Sequence, residues 1–148
     1  MKAIVLAVFL ALTATPFCDA KTHSTFRAHV EANASNGPTF STKLRLFGRD
    51  VTIEKVPTLS ENDVTSLRIV RAPDGTNGAL FQLNEHGRLA LDSLSVEKRG
   101  SSLFVFINGR PAAELQIDRR VSDGKIYIAS GLSANDIELL KKDWPARK

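Results

Sequence analysis

Residues 102–117 read SLFVFINGRPAAELQI, and this stretch decides the fold. Residues 103–107 are all apolar, and most of them are β-branched or aromatic, which favours a strand. Asn108-Gly109 follows, and this pair favours a two-residue hairpin turn because both residues tolerate positive φ. Residues 111–117 are again mainly apolar. The stretch therefore predicts a β-hairpin with strands over 103–107 and 111–117.

The residues around this hairpin predict further strands. Between Phe26 and Ala32, apolar residues alternate with polar ones such as Arg27 and His29, which is the period-two pattern of a strand. Turn-forming residues separate the other predicted strands, which cover 40–47, 51–56, 67–70, 79–83 and 126–128. The strand over 40–47 is expected to place four side chains on one face: Phe40, Thr42, Leu44 and Leu46.

Two helices are predicted late in the chain, each after a residue whose side chain can accept free N–H groups of the first turn. The first begins after Asn84 and ends before Gly100. Its expected buried face consists of Leu89, Leu91, Leu94 and Val96. The second begins after Ser133, with three apolar residues about one turn apart: Ile137, Leu140 and Trp144. A short helical turn capped by Ser60 is expected over 59–64.

The order of these elements predicts an α+β fold. It consists of a mainly antiparallel sheet, rich in hairpins, with two helices packed on one face. No internal repeat or long linker divides residues 21–148, so they are expected to form a single domain. Whether residues 25–56 join the sheet of the later strands stays open.

Residues 1–20 have the three-part pattern of a secretory signal peptide. Lys2 supplies a positive charge, and residues 3–12 form an apolar run too short to span a bilayer. A smaller, more polar stretch leads to a cleavage point after Ala20, so a periplasmic or secreted location is expected. A lipoprotein modified at Cys18 is the alternative. Cys18 is the only cysteine, so cleavage after Ala20 leaves a chain without disulfides.

The formal charge is +4 at pH 7, from 20 Lys and Arg residues against 16 Asp and Glu residues. Removal of residues 1–20 takes away Lys2 and Asp19, one charge of each sign, and leaves the balance unchanged. This excess falls short of the dense basic patch of a nucleic-acid-binding protein, so nucleic acid is not an expected partner. It is compatible with an acidic partner or an anionic surface.

Few residues indicate catalysis or metal binding. His23, His29 and His86 lack the spacing of a metal site, and no cofactor-binding motif is present in the sequence. Asp118 and Asp123 could form an acid–base pair if one of them were buried. However, Asp123 precedes a glycine as in a turn, and the two arginines after Asp118 favour its ionised form. No catalytic residue is therefore predicted, and a small hydrolase using Asp118 and Asp123 remains an alternative.

Four polar residues near the strongest hairpin form the candidate binding surface: Asn108, Arg110, Arg119 and Arg120. The turn accounts for Asn108, but it does not require Arg110. With Arg119 and Arg120, this residue could give the sheet a basic edge that contacts a partner protein or an anionic surface. The alternative is that these charges keep an exposed strand edge from pairing with another chain.

Five stretches share an order of turns and apolar residues with one known family: 59–64 (LSENDV), 79–91 (ALFQLNEHGRLAL), 102–109 (SLFVFING), 117–128 (IDRRVSDGKIYI) and 131–140 (GLSANDIELL). From 59 to 144 this order is similar to that of the periplasmic head subdomain of SecD, the accessory subunit of bacterial protein export. The chain departs from that family at Arg88, which replaces a small residue after Gly87. It also has no membrane-spanning segment after residues 1–20.

The resemblance implies a freestanding head-type domain. In the translocase, such a domain is thought to contact an emerging polypeptide, and the resemblance supplies no catalytic residues and no cofactor. We therefore expect an exported, non-catalytic interaction module that binds a protein or a cell-envelope component through its sheet edge or hairpin. An inhibitor or immunity-type protein is a further alternative to the hydrolase.

Overall fold

A computed structural model describes residues 23–144 of the chain. The predicted signal peptide over 1–20, its cleavage point after Ala20 and Cys18 lie outside the described residues. The strands in the described part are β1 (Phe26–Val30), β2 (Ser41–Leu46), β3 (Arg49–Glu54), β4 (Leu59–Ser60), β5 (Val64–Arg71), β6 (Asn77–Leu83), β7 (Ser102–Ile107), β8 (Arg110–Gln116) and β9 (Lys125–Leu132). The helices there are α1 (Gly37–Phe40), α2 (Glu85–Glu97) and α3 (Ala134–Asp143), with single 3-10 turns at Ala34–Asn36 and Glu61–Asp63.

The strands form three sheets in which all recorded pairs are antiparallel. One sheet has the order β4-β1-β7-β8, another has the order β5-β6-β9, and β2 and β3 form a separate hairpin. The predicted α+β, hairpin-rich fold is confirmed, although the strands are divided among three sheets. Because β1 lies between β4 and β7, the N-terminal strand shares a sheet with the β7–β8 hairpin.

The inner face of the four-stranded sheet carries the main core. Alternate residues of β1 are buried there, beginning with Phe26, whereas Arg27 and His29 lie on the opposite face. The matching residues of β7 are also buried there: Leu103, Val105 and Ile107. The rings of Phe26 and Phe81 are 4.8 Å apart between centroids, a contact that joins the four-stranded sheet to β6 of the three-stranded one. Side chains of α2 and α3 complete this core.

The β2–β3 hairpin covers part of the outer face of the four-stranded sheet. A second cluster of buried side chains holds it there: Leu46, Val51, Ile53 and Phe104. Arg49 of the hairpin forms an ion pair with Glu114 of β8. The sheet is thus packed on both faces, by the main core on one side and by this hairpin on the other.

The predicted caps are confirmed. Asn84 accepts a hydrogen bond from the backbone N–H three residues later at 2.8 Å, and Ser133 does the same at 3.1 Å. Ser60 and Asp63 exchange hydrogen bonds around the 3-10 turn, with 2.8 Å between the Ser60 backbone N–H donor and Asp63 Oδ2. Gly87 lies against this turn, and a Cβ at that position would be 2.9 Å from Asp63 Cβ. Only glycine therefore permits this close approach of α2.

The predicted buried face of α2 is wrong for two residues. Leu89 and Val96 are 50% and 54% exposed, whereas Leu91 and Leu94 are buried. At about 100° per residue, Leu91 lies roughly 200° around the helix from Leu89, so the four residues cannot share a face. The buried side of the helix consists of Gly87, Leu91, Leu94 and Ser95.

Phe40 does not join β2, contrary to the prediction. It ends α1 and is 70% exposed. Pro38 lies at the start of this short helix, where its fixed φ suits a first helical turn. The strand therefore begins one residue later, at Ser41.

The two faces of α2 can be compared directly. We expect Leu91→Ala to lower the free energy of unfolding by about 2–4 kcal/mol, because it removes a buried side chain from the main core. Leu89→Ala, two residues away on the exposed face, is the matched control and should change it by less than about 1 kcal/mol. Urea denaturation of both variants provides the measurement. Equal losses would contradict this orientation of the helix.

Candidate functional site

The structure separates the four predicted site residues into two groups. Asn108 and Arg110 lie at the turn end of β8, whereas Arg119 and Arg120 follow its other end. Seven extended residues span on the order of 20 Å, so the two groups do not meet at one point of the edge.

The group at the turn joins three parts of the fold. Asn108 has a φ of 51°, as its turn requires. Its Oδ1 accepts the backbone N–H of Thr25 at 3.0 Å, and its Nδ2 donates to Asp136 Oδ1 at 3.0 Å. Arg110 Nη2 donates to both carboxylate oxygens of Asp136, at 2.6 and 2.7 Å. The hairpin turn is thereby tied to the segment before β1 and to the first turn of α3.

Asp136 is buried at the centre of this group. Burial raises the pKa of Asp136, but hydrogen bonds from Ser133, Asn108 and Arg110 and the charge of Arg110 outweigh it, so the pKa lies below its ordinary value. The Ser133 hydroxyl contributes the hydrogen bond to Oδ2 at 2.6 Å. Asn108, Arg110 and Ser133 each hydrogen-bond to the Asp136 carboxylate, and the arrangement is that of a structural clamp.

The group at the other end of β8 fastens a loop to α2. Arg120 donates to Asp92 through two nitrogens, at 2.5 Å from Nε and 2.8 Å from Nη2. The next residue, Val121, donates its backbone N–H to Ser95 Oγ at 2.9 Å. Arg119 is exposed beside them. These contacts fix the path of the chain between β8 and β9.

Between β8 and β9 lies an apolar groove, which is our candidate functional site. β8 is the edge of the four-stranded sheet and β9 is the edge of the three-stranded one. The groove has a volume of about 90 Å³. Its apolar walls are supplied by α2, by the end of β8 with the segment that follows it, and by the start of β9: Leu91, Leu94, Leu115, Ile117, Val121, Ile126 and Tyr127. Tyr127 at its rim is 49% exposed. The groove bounded by β8, β9 and α2 is called the edge groove below.

The edge groove offers two kinds of contact. An edge strand presents backbone N–H and C=O groups on its open side, and these can pair with an extended chain. The apolar walls can take up side chains of that chain. The sequence does not predict this site, because its walls come from three segments that are separated along the chain and local spacing does not show that they meet.

The alternative catalytic residues lie in loops. Asp118 and Asp123 are both exposed, and Asp123 Oδ1 accepts the backbone N–H of Lys125 at 3.2 Å, as in a turn. His29 Nδ1 lies 2.8 Å from the Glu54 carbonyl oxygen, and His86 Nδ1 lies 2.7 Å from Asp63 Oδ1. Within residues 23–144, no group of three His, Cys, Asp or Glu side chains is placed to hold a metal ion.

The contribution of the Asp136 clamp to the free energy of unfolding is expected to depend on pH. Asp136→Asn should lower the free energy of unfolding at pH 7 by about 1–3 kcal/mol, because a buried hydrogen-bond acceptor loses its charge. The folded-state pKa of Asp136 is depressed, so its contribution is full above the unfolded value near pH 3.9 and is lost as pH falls through the folded value. The difference in the free energy of unfolding between wild type and Asp136→Asn should therefore become smaller below about pH 4.

Urea denaturation of wild type and Asp136→Asn between pH 7 and pH 3 measures this difference in the free energy of unfolding. Asp123→Asn, in an exposed turn, is the control and should change stability by less than about 0.5 kcal/mol at neutral pH. If the difference in the free energy of unfolding between wild type and Asp136→Asn stayed constant down to pH 3, the carboxylate charge would not stabilise the clamp.

No protein-family model matches the chain, and no curated protein matches its sequence. Solved structures do match its fold, and two of them are structures of SecDF. One is a structure of SecDF, a membrane component that enhances protein export. The match to it has a TM-score of 0.59 at 17% sequence identity and covers 85% of this chain and 66% of that chain. The other is a crystal structure of SecDF in a super-membrane-facing form; the TM-score is 0.58 at 14% identity, over 83% of this chain and 19% of that chain.

The chain thus spans less than two thirds of the first SecDF chain and a smaller part of the second. The match is longer than the motif range 59–144, which holds fewer than two thirds of the 148 residues, so the shared fold includes earlier strands. None of the helices within residues 23–144 has the length and apolar character needed to cross a bilayer. The resemblance seen in the motif order is confirmed for the fold: the chain has a SecD-like fold.

Proposed function

We propose that the chain is an exported, non-catalytic binding module that takes up an extended stretch of polypeptide in the edge groove. The observation that carries this proposal is the position of an apolar groove between two edge strands. A polypeptide bound there would add a strand to β8 or β9 and place alternate side chains against the apolar walls. No chemical step is needed for this function.

The residues along the two edge strands favour binding at the end of the groove that is far from the Asn108 turn. Pro111 near the start of β8 has no N–H to donate, so pairing is weaker at the turn end. Towards the far end, Leu115 and Ile117 line the groove opposite Ile126 and Tyr127. A partner strand is therefore best accommodated beside the far half of β8 and the first half of β9.

Charges near the groove favour an acidic or neutral partner. Lys125 lines the groove, and Arg119 is exposed in the loop that follows β8. Arg120 has its charge balanced by Asp92. The basic edge predicted from the sequence would then contribute through Arg119, while Asn108, Arg110 and Arg120 would act by holding the surrounding structure in place.

The setting of the proposed function is protein export. SecDF is a membrane component that enhances protein export, and the chain shares the fold of part of it. The predicted signal peptide over 1–20 supports a periplasmic or secreted location. In that setting, an unfolded segment of an exported or envelope protein is the partner we propose. Binding is favoured over hydrolysis because Asp118 and Asp123 are exposed in loops outside the groove walls.

Binding can be tested with a permanently unfolded protein, reduced and carboxymethylated, titrated against the mature chain. Tyr127→Ser removes an aromatic side chain from the rim of the edge groove, and we expect it to weaken binding by about fivefold or more. Phe40→Ser removes another exposed aromatic side chain, outside the groove, and is the matched control with less than about twofold change. Hydrogen exchange should show new protection of backbone amides in β8 or β9.

Two outcomes would contradict the proposal. One is saturable binding that both serine variants weaken equally, because the groove would then have no special part in it. The other is protection confined to strands other than β8 and β9. Asp118→Asn/Asp123→Asn is expected to bind the unfolded protein as the wild type does, whereas a large loss in this variant would favour a role for the two carboxylates.

A further inference from the structure

A second concave surface lies on the other side of the four-stranded sheet, under the β2–β3 hairpin. The hairpin buries Phe104 completely, but Leu44 and Phe106 remain only partly buried beside the same cluster. A cleft of about 360 Å³ is left between the hairpin and the sheet. This volume is within the range of small-molecule sites, and the cleft shares no lining residue with the edge groove. It is called the hairpin cleft below.

The floor of the hairpin cleft is apolar. Leu44 and Ile53 of the hairpin face Phe106 of β7 across it. Because Leu44 and Phe106 keep some of their surface in water, an apolar group inserted between them would be removed from water together with that surface. The floor therefore favours the apolar part of a ligand.

The rim of the hairpin cleft carries basic side chains, and no Asp or Glu residue is part of its lining. Arg27 is half-exposed, and its recorded carboxylate neighbour, Glu61, lies 3.9 Å away, beyond hydrogen-bond distance. Lys55 donates to the carbonyl oxygen of Pro38, which is uncharged and leaves the ammonium charge in place. The positive charge at the rim is thus only weakly balanced within the described part of the chain.

The His29 ring lies beside the same rim in a fixed position. Its Nδ1 lies 2.8 Å from the Glu54 carbonyl oxygen, which can only accept, so Nδ1 is the donor in this contact. The ring also meets Phe106 edge-on, with 5.5 Å between centroids and 84° between planes. Two contacts therefore hold the imidazole in one orientation beside the floor.

We propose that the hairpin cleft binds an amphipathic anion, a carboxylate or phosphate attached to a short apolar chain. The acidic group would lie between Arg27 and Lys55, and the apolar chain would lie on the floor formed by Leu44, Ile53 and Phe106. A simple anion would gain little, because contacts between exposed charges are weak and screened by salt. A neutral apolar molecule would leave the basic rim without a partner.

Four probes separate the parts of this proposal in titrations of the mature chain followed by NMR. Octanoate should shift the resonances of His29 and Phe106 in a saturable way. Acetate, which lacks the apolar chain, and octan-1-ol, which lacks the charge, should each bind at least about fivefold more weakly. Octyl phosphate in the same titration distinguishes a preference for phosphate from a preference for carboxylate. Equal affinity for acetate and octanoate, or shifts confined to other surfaces, would overturn the proposal.

A pair of double variants provides the matched test. Arg27→Gln/Lys55→Gln removes one arginine and one lysine from the rim and should weaken octanoate binding by about tenfold. Lys43→Gln/Arg45→Gln removes the same charges from exposed positions of β2 that do not line the cleft, and it should weaken binding by less than about twofold. Equal losses would show that only the overall charge matters and would overturn the site.

Binding of octanoate in the hairpin cleft can be tested separately from binding of an unfolded protein in the edge groove. Arg27→Gln/Lys55→Gln should bind the unfolded protein with unchanged affinity, and Tyr127→Ser should bind octanoate with unchanged affinity. Loss of octanoate binding in Tyr127→Ser would place the anion in the edge groove and contradict a site under the hairpin.

Discussion

The antiparallel pairing of β1 with β7 is the constraint on which the rest of the structure depends. Five consecutive residue pairs join them, from Phe26 opposite Ile107 to Val30 opposite Leu103. This register sends one set of alternate side chains into the main core and the other set to the outer face, where Phe104 meets the β2–β3 hairpin. A slip by one residue would exchange the two sets and put Arg27 and His29 into the core. The pairing is therefore stabilised from both faces at once.

Both candidate surfaces follow from this arrangement. Since β7 is occupied by β1 on one side, β8 takes the other side and becomes the edge that borders the edge groove. The same register places Arg27 opposite Phe106, which brings a basic rim residue beside the apolar floor of the hairpin cleft. The two surfaces thus lie on different parts of one sheet, and a substitution in the β1–β7 pair would disturb both.

Local features of the sequence predicted much of the fold. The turn at Asn108 and the caps at Asn84 and Ser133 depend on residues that are neighbours in the sequence, so they can be predicted from the local sequence alone. The order of these features also pointed to a SecD-like fold. The partners of the site residues could not be predicted in this way: Arg120 binds Asp92, and Arg110 binds Asp136, each more than twenty residues away. The partition into three sheets and the edge groove likewise arise from contacts between distant segments.

The hydrogen bonds near residues 23–25 bring the two ends of the described chain together. Ser24 donates its backbone N–H to Asp143 Oδ2 at 2.5 Å, and His23 Nδ1 lies 3.4 Å from Oδ1 of the same carboxylate. The polypeptide therefore enters and leaves this part of the fold at nearly the same point, near Trp144. Such a unit has the geometry of a cassette that can be placed within a loop of a host protein, or opened at another turn by circular permutation, with short connections.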